Sequence, residues 1–235
     1  MNDALRLRVL SLRYSSWSIR PWLALTHAGL PFETETVEVD DLGAVHEATD
    51  DALLGERRGL GSVAGFFPVL WVGDTPIHES LAICEWAADV RPDAGLWPAD
   101  VLDRARARAL SSEMATGFPN LRTHLSCHPF ARVPGFAPDA PTRREIRRVF
   151  EIWGDALERS GGPFLFGERF GIVDAMYFPA VTRFRTYDVA VPEPLAAYGR
   201  ALDALPAVQA WRALALEAPR IPKYDQYVSD LGGQP

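Results

Sequence analysis

The stretch Ser15-Ser16-Trp17-Ser18 marks the point where the sequence changes from one pattern to another. Residues Leu7 to Leu12 before it form a short apolar run typical of a β-strand, and residues Ile19 to Ala28 after it have the composition of a helix. Ser15 and Ser16 therefore lie at the start of the predicted helix. Because backbone N–H groups lack partners there and the helix dipole favours negative charge, this turn is a candidate anion site. The alternative is that the two serines only cap the helix.

Two further motifs follow at the boundaries of predicted elements. Phe67-Pro68 precedes the apolar run 69–72, a position where proline removes a donor from the sheet and where an edge strand with a trans bond is the ordinary expectation. Glu79-Ser80 opens another helical pattern, where a serine can hold a carboxylate and an acidic side chain can accept from an ammonium group. The same pair is also typical of a plain helix start with an acidic first turn.

Residues 1–90 alternate strands and helices and predict an α/β domain with a mixed sheet. Gly73-Asp74 is a turn pair that joins two of the strands into a hairpin. The predicted order is β-α-β-α-β-β-α, with a Gly-rich segment at 55–65. The predicted strands are 7–12, 32–39, 69–72 and 76–78, and the predicted helices are 18–27, 41–54 (helical or irregular) and 80–90.

Residues 91–98 contain too many helix and strand breakers for either element and predict a linker. The pattern beyond them is helical only, so residues 99–235 predict a second, all-helical domain. Its tail, from Pro219, is predicted to be irregular. The predicted helices of this domain are 99–126, 141–160, 171–187, 193–204 and 207–217.

The composition argues against several classes of protein. The chain has 235 residues, of which 48% are hydrophobic, enough for one large or two modest domains. It contains no run of about 18 apolar residues, so no membrane-spanning segment is expected. A formal net charge of −7 argues against general nucleic-acid binding, which needs cations for the phosphates. The start of the chain lacks the basic and apolar segments of a secretory signal.

The cysteines and histidines further limit the classes of protein to which the chain can belong. Cys84 and Cys127 are too few for a disulfide framework and fit a reducing, cytoplasmic location. Cys84, inside a helix, is expected to be a buried small apolar residue, and Cys127, near a loop, a surface thiol without a catalytic role. A serine hydrolase is disfavoured because the chain lacks a Gly-x-Ser-x-Gly elbow and none of its five histidines carries a recognisable partner motif.

The order of elements, with these motifs at these spacings, resembles the soluble glutathione S-transferase superfamily over nearly the whole chain. The Ser-Ser-x-Ser opening and the segment Trp22 to Leu25 resemble the serine-type classes, including the zeta or maleylacetoacetate isomerase-like group. Glu79 to Trp86 resembles the family's Glu-Ser-x-x-Ile segment, and Gly167 with Gly171 to Ala175 resembles its helix-capping segment in the second domain. The resemblance implies a thioredoxin-like βαβαββα domain followed by a helical bundle.

By this resemblance, Ser15 takes the position of the family's catalytic serine, and the adjacent Ser16 is the fallback. The serine is a hydrogen-bond donor, and the nucleophile is the thiol of glutathione, a co-substrate; no metal is implied. A free thiol with a pKa of about 8.5 is mostly protonated at neutral pH, and a hydroxyl donor at a helix N-terminus stabilises the thiolate. A tenfold gain in the ionised fraction requires about 1.4 kcal/mol.

The resemblance also implies how glutathione is held. In the family the proline at the position of Pro68 is cis, and the residue before it, here Phe67, pairs through its backbone with the cysteinyl part of glutathione. Ser80 holds a carboxylate, and Glu79 accepts from the ammonium of the γ-glutamyl group. Many relatives carry a lysine or other polar group before the proline turn, where this chain has Gly65-Phe66-Phe67, so the anchor of the glycyl carboxylate is unassigned.

Two further assignments follow from the resemblance. Arg57 or Arg58 is a candidate to replace the missing anchor, although arginines in such a segment are more often solvated surface. Asp174 resembles the N3 residue of a buried helix-capping box, with Gly171 in place of the usual Ser or Thr partner, and is expected to be structural.

In this family the electrophilic substrate lies between the two domains, against the first long helix of the second domain. The residues that match this place are also typical of plain helix core. Arg122, His124, Arg183 and Arg185 are candidates to meet an acidic substrate, and the sequence does not show which of them point inward. The expected pocket lining is Trp17, Met114, Phe118, Leu121 and Tyr177.

Three functions are compatible with these motifs. The first is a glutathione transferase that stabilises the glutathione thiolate for attack on an electrophilic small molecule, as in detoxification. The second is a glutathione-dependent cis-trans isomerase of maleylacetoacetate type, and the third is a non-catalytic transferase-like binding protein. The resemblance also implies a homodimer, with the helices at 80–90 and 100–125 facing a two-fold axis.

Overall fold

A computed structural model describes residues 4–37, 55, 57–62 and 64–235. Its first part contains a four-stranded sheet in the order β2-β1-β3-β4. The strands β1 and β2 are parallel, whereas β3 is antiparallel to both β1 and β4, so the predicted mixed sheet is confirmed. The four strands are β1 (Leu5–Val9), β2 (Glu33–Thr36), β3 (Val69–Val72) and β4 (Thr75–His78).

In the described part of the chain, helices α1 (Ser16–His27) and α2 (Ser80–Val90) pack on this sheet, and a tight turn joins its last two strands. These helices pack against each other, and their side chains meet fully buried residues of β1 in one apolar core. Val72 pairs with Thr75 across a two-residue hairpin loop, in which Gly73 has a φ of 57°. Such loops require positive φ, which explains the glycine in the predicted turn.

The second part of the chain is helical and follows a short 3-10 turn at Pro92–Ala94. Helix α6 runs through its centre, with nearly every side chain buried, and packs against both α1 and α3. The apolar core is therefore continuous from the sheet into the helices. The helices are α3 (Val101–Thr116), α4 (Pro119–His124), α5 (Ala140–Ser160), α6 (Ile172–Thr186), α7 (Leu195–Asp203), α8 (Pro206–Glu217) and α9 (Pro222–Asp230).

The predicted helix 99–126 is wrong in one respect, because the structure breaks it into α3 and α4. Gly117 is extended and Phe118 has a φ of 61°, a conformation that a bulky residue rarely adopts. Pro119 then starts the next helix, where its missing N–H costs nothing.

The prediction of an irregular tail after Pro219 is also wrong. Pro222 occupies the first turn of helix α9, where a proline is favoured rather than disruptive. Val228 of this helix is fully buried against the rest of the second part. The expectation for 41–54 lies outside the described residues. Among the described residues no helix is both long and apolar enough to cross a membrane.

Candidate functional site

The sheet register brings the three sequence motifs to one edge of the first part. Val69, the first residue of β3, is paired with Arg8 near the end of β1 and with His78 at the end of β4. The chain that leads from β1 to Ser15, the Phe67-Pro68 turn and the Glu79-Ser80 turn therefore leave the sheet side by side. Motifs far apart in the sequence thus gather at a single site.

Ser15 is the N-cap of α1. Its backbone is extended, with φ −90° and ψ 97°, and its Oγ accepts a hydrogen bond from the Ser18 N–H at 3.3 Å. The Ser18 hydroxyl donates to the same oxygen at 3.0 Å. Because Ser15 Oγ accepts from both groups, its own hydroxyl proton remains available for a ligand.

Ser16, one residue later, faces the second part of the chain. Its Oγ accepts a hydrogen bond from Arg183 Nη2 at 3.3 Å, and its backbone N–H contacts the sulfur of Cys127. Cys127 is buried rather than the expected surface thiol, because the loop that carries it folds onto the start of α1. Burial raises the pKa of its thiol. Cys84 is buried, as predicted.

The Glu79-Ser80 turn contacts the first turn of α1 directly. The Ser80 side chain is fully buried and its hydroxyl donates to the Trp17 carbonyl at 3.0 Å. Because the Ser80 hydroxyl proton is used in this bond, it is not available to a ligand. The backbone N–H at the start of α2 is then the group that can donate to a carboxylate. Glu79 is exposed and has a φ of 80°, a strained conformation for a residue with a side chain.

The Phe67-Pro68 peptide bond is cis, as the resemblance implied. Phe67 is buried, and its backbone N–H and C=O have no hydrogen-bond partner among the described residues. The Ser62 hydroxyl donates to the Phe66 carbonyl and fixes the preceding residue. The turn therefore presents free backbone groups beside the start of α1.

Arg57 differs from the expectation of solvated surface, whereas Arg58 is exposed. The Arg57 side chain is buried, and its Nη1 donates to the Gly65 carbonyl at 3.2 Å. Burial lowers the pKa of this guanidinium. The arginine thus supports the segment that leads into the Phe67-Pro68 turn.

The residues expected to line an electrophile pocket lie at the boundary between the two parts. Trp17 is half-buried, while the other four belong to the closed apolar core. The Tyr177 hydroxyl donates to the Leu110 carbonyl at 3.3 Å, and burial raises the pKa of this tyrosine. The four buried residues are Met114, Phe118, Leu121 and Tyr177.

Of the four basic candidates for an acidic substrate, two point to this boundary and two do not. Arg122 and Arg183 lie near Trp17 and Ser16, respectively. His124 Nδ1 instead hydrogen-bonds Thr142 at 2.7 Å, and Arg185 forms an ion pair elsewhere in the second part. The sequence reasoning missed Arg20, which is completely buried at the same boundary; its spacing of four residues from Ser16 on one helix was the available signal.

Asp174 lies at the third position of helix α6. Its Oδ2 accepts from the Gly171 N–H at 2.8 Å and its Oδ1 from the Leu165 N–H at 3.0 Å. Burial raises the pKa of Asp174 to about 6, while these two backbone bonds oppose the rise. The carboxylate therefore fixes the loop between α5 and α6 at two points to the start of the central helix.

A second set of contacts, also missed, holds helix α9 beside the site. The hydroxyl of Tyr14, the residue before Ser15, donates to Asp225 at 2.8 Å. His128 Nε2 donates to the Tyr224 carbonyl at 2.9 Å, since a carbonyl can only accept. These partners are about a hundred residues or more apart in sequence, which hides them from motif reasoning.

Comparison with known proteins assigns this architecture to a family. Two family models match the chain: Glutathione S-transferase, N-terminal domain, over residues 14–90, and Glutathione S-transferase, C-terminal domain, over residues 140–214. A maleylacetoacetate isomerase from Rhizobium meliloti (strain 1021) is 33% identical over 184 residues, which are 74% of this chain and 80% of the relative.

Solved structures show the same fold. A maleylacetoacetate isomerase from Anaeromyxobacter dehalogenans 2CP-1 is 26% identical with a TM-score of 0.63, covering 90% of this chain and 91% of that one. A glutathione transferase homolog from Burkholderia, with bound glutathione, is 21% identical with a TM-score of 0.64, covering 92% of this chain and 99% of that one. The architecture is that of a thioredoxin-like domain followed by a helical domain, and the chain belongs to the glutathione S-transferase family.

Proposed function

We propose that this glutathione transferase binds glutathione at the sheet edge where its three motifs meet, and that Ser15 donates a hydrogen bond to the glutathione sulfur. The observation that carries the proposal is the Ser15 cap, in which the oxygen accepts from Ser18 twice and the hydroxyl proton is left for a ligand. Family membership and relatives solved with bound glutathione support the choice of ligand.

The chemistry follows from the acidity of the thiol. A thiol with a pKa of about 8.5 must lose its proton at neutral pH before it can attack an electrophile. A hydroxyl donor and the positive end of α1 both stabilise the thiolate, and each pKa unit corresponds to about 1.4 kcal/mol. The thiolate then attacks an electrophilic carbon. Ser15 itself forms no covalent bond in this scheme.

The remaining contacts of glutathione are assigned to the other two turns. Phe67 pairs with the cysteinyl part through its free backbone groups, next to Pro68. The N-terminus of α2 at Ser80 holds the γ-glutamyl carboxylate, and Glu79 accepts from the ammonium group. Arg57 positions the 65–67 segment through the Gly65 carbonyl, which leaves the exposed Arg58 as the candidate to hold the glycyl carboxylate.

The proposal extends to the assembly and location of the protein. We assign residues 1–90 to glutathione binding, 91–98 to a linker and 99–235 to the electrophile side. Val101 and Leu102, at the start of α3, are each 63% exposed, and an exposed apolar pair of this kind favours a protein contact. This supports a homodimer with α2 and α3 facing the two-fold axis. A cytoplasmic role in detoxification fits the two unpaired cysteines.

A calorimetric titration with reduced glutathione, followed by conjugation of a chromogenic aryl halide, tests the proposal. We expect binding at millimolar glutathione or below and a conjugation rate above the uncatalysed reaction. If neither binding nor conjugation is observed, the non-catalytic alternative replaces the transferase.

The isomerase is the second candidate because two of the relatives described by sequence and structure are named maleylacetoacetate isomerases. In that reaction the thiolate adds to a conjugated cis double bond, the bond rotates, and the thiolate leaves again. Isomerisation of a cis-dienoate without consumption of glutathione identifies this activity. Conjugation of the aryl halide with stoichiometric loss of glutathione identifies the transferase.

A further inference from the structure

The chain that leads from β1 into the first turn of α1 is held by helix α8. Trp211 Nε1 of α8 donates to the Leu12 carbonyl at 3.0 Å. Arg13 Nη1 donates to the Leu216 carbonyl, near the end of the same helix, at 3.1 Å. The two partners in each bond are about 200 residues apart in sequence. The segment before Ser15 therefore depends on the C-terminal helices for its position.

Tyr14, the residue next to Ser15, connects the same segment to helix α9. Its side chain is buried, and its hydroxyl donates to Asp225 Oδ1 at 2.8 Å. The other oxygen of that carboxylate accepts from Arg220 Nε at 2.7 Å, so the acceptor is itself held in place. Burial, and then the hydrogen bond to Asp225, raise the pKa of Tyr14. The hydroxyl therefore keeps its proton at neutral pH and remains a donor.

The ring of Tyr14 is held by aromatic contacts on two sides. It meets the His128 ring edge to face, with the centroids 5.4 Å apart, and the Tyr224 ring of α9 at 5.5 Å. Such pairs favour a particular geometry in addition to burying apolar surface. Because a phenol has one proton and this proton is bonded to Asp225, Tyr14 has no proton to donate to a ligand. Any role of Tyr14 in the reaction is therefore indirect.

The backbone around Tyr14 is compact and transmits its position to Ser15. The N–H groups of Arg13 and Tyr14 both donate to Ser11 Oγ, at 3.1 and 3.2 Å. The N–H group of Ser15 donates to the Ser11 carbonyl at 3.1 Å. Since three successive N–H groups are bonded to one residue, this turn has little freedom of its own. A displacement of the Tyr14 side chain therefore displaces the Ser15 hydroxyl.

Resting on the proposed function, we propose that Tyr14 is a positioning residue, whose hydrogen bond to Asp225 holds the Ser15 hydroxyl where it stabilises the glutathione thiolate. A hydrogen bond weakens steeply as its angle departs from linearity, and a bond to a charged atom has the most to lose. A misplacement of about 1 Å can cost as much as a hundredfold in rate. Helix α9 makes no contact with glutathione in the proposed function, yet through Tyr14 it affects the reactivity of the thiol.

The Tyr14→Phe variant tests this, because it removes the hydroxyl and keeps the buried ring. We expect the pKa of bound glutathione, measured by ultraviolet titration, to rise by about 0.5 unit, a threefold loss of thiolate at lower pH. The rate of aryl halide conjugation at saturating glutathione should fall about threefold at neutral pH and recover above the raised pKa. The KM for glutathione should change by less than about twofold. A merely structural role would leave the pKa of the thiol unchanged.

Asp225→Ala removes the acceptor of the same bond and should shift the pKa by a similar amount. In the double variant with Tyr14→Phe the two shifts should not add, because both remove one interaction. Tyr227→Phe is the matched control: this tyrosine lies on α9, and its hydroxyl donates to the His124 carbonyl at 3.0 Å. It should lower the melting temperature and leave the pKa of bound glutathione at the wild-type value. Thermal unfolding shows whether each variant is folded.

Two results would overturn the inference while leaving the proposed function intact. One is a pKa of bound glutathione in folded Tyr14→Phe that equals the wild-type value. The other is an equal rise in Tyr227→Phe, which would make the effect one of general stability. If Tyr14→Phe does not fold, the same comparison between Asp225→Ala and Tyr227→Phe decides. If the wild type forms no thiolate with glutathione at all, the proposed function fails and this inference fails with it.

Discussion

The two sides of the boundary beside Ser15 are built by different means. On the sheet side, hydroxyl and backbone groups from three short turns meet because neighbouring strands end together. On the helical side, Arg20 and Arg122 lie against the Trp17 ring and Arg183 donates to the Ser16 hydroxyl, so that arginines from three helices meet here from positions up to about 160 residues apart. The first arrangement depends on local motifs and strand register, whereas the second depends on how the helices pack. We therefore expect variants on the sheet side to change the chemistry of bound glutathione, and variants on the helical side, apart from Asp225, to change the stability of the fold.

The largest effect is expected from Ser15→Ala on the sheet side. Loss of a hydrogen bond to a charged sulfur should raise the pKa of bound glutathione by about 1–2 units and lower the conjugation rate by about 10–100-fold. Ultraviolet titration of the thiolate in the complex measures the pKa directly. Ser16→Ala is the matched control, because Ser16 is bound to Arg183, and should have the smaller effect. If Ser16→Ala has the larger effect, then Ser16 rather than Ser15 is the donor to the glutathione sulfur.

A change of stability rather than chemistry is expected from Asp174→Asn on the helical side. An asparagine offers one acceptor where the carboxylate now accepts from both Gly171 and Leu165, so one buried N–H loses its partner. We expect a loss of about 1–3 kcal/mol in the free energy of unfolding, measured with urea. Asp103→Asn, a partly exposed control on α3, should change it by less than about 0.5 kcal/mol.

A smaller effect, on pH dependence, is expected at His128. Burial lowers its pKa below the usual value of about 6.5, so the unfolded chain binds a proton before the folded one does. The stability that this residue contributes is therefore present above about pH 6.5 and lost as the pH falls below it. The melting temperature of His128→Asn should fall with a smaller slope than that of the wild type as the pH is lowered below neutral. An unchanged slope in His128→Asn would contradict the assignment.

The sheet side could be predicted from the sequence because each signal is local. The strand 69–72, helix 80–90 and the turn at Gly73 were predicted correctly, since alternation, helix-start residues and a positive-φ turn each occupy a few adjacent residues. The family resemblance then supplied the relation between these motifs, and the family models confirm it. The roles of individual site residues remain predictions.

The helical side could not be predicted in the same way. The break at Phe118 depends on a left-handed backbone conformation that its side chain does not favour, and α9 depends on Tyr14 and His128 for its contacts. The burial of Arg20 places a charge among apolar residues, against the usual pattern for a helix. Each of these features is decided by packing between distant segments.

At Glu79 the strained backbone conformation lowers the stability of the fold, whereas its side chain is proposed to bind a ligand. A glycine would adopt a φ of 80° without penalty, while a residue with a side chain costs on the order of 1–3 kcal/mol in such a conformation. Replacing Glu79 by glycine would relax the backbone but would also remove the carboxylate that we propose accepts from the ammonium of glutathione. A variant designed for higher stability should therefore keep Glu79 and carry its stabilising substitutions at other positions.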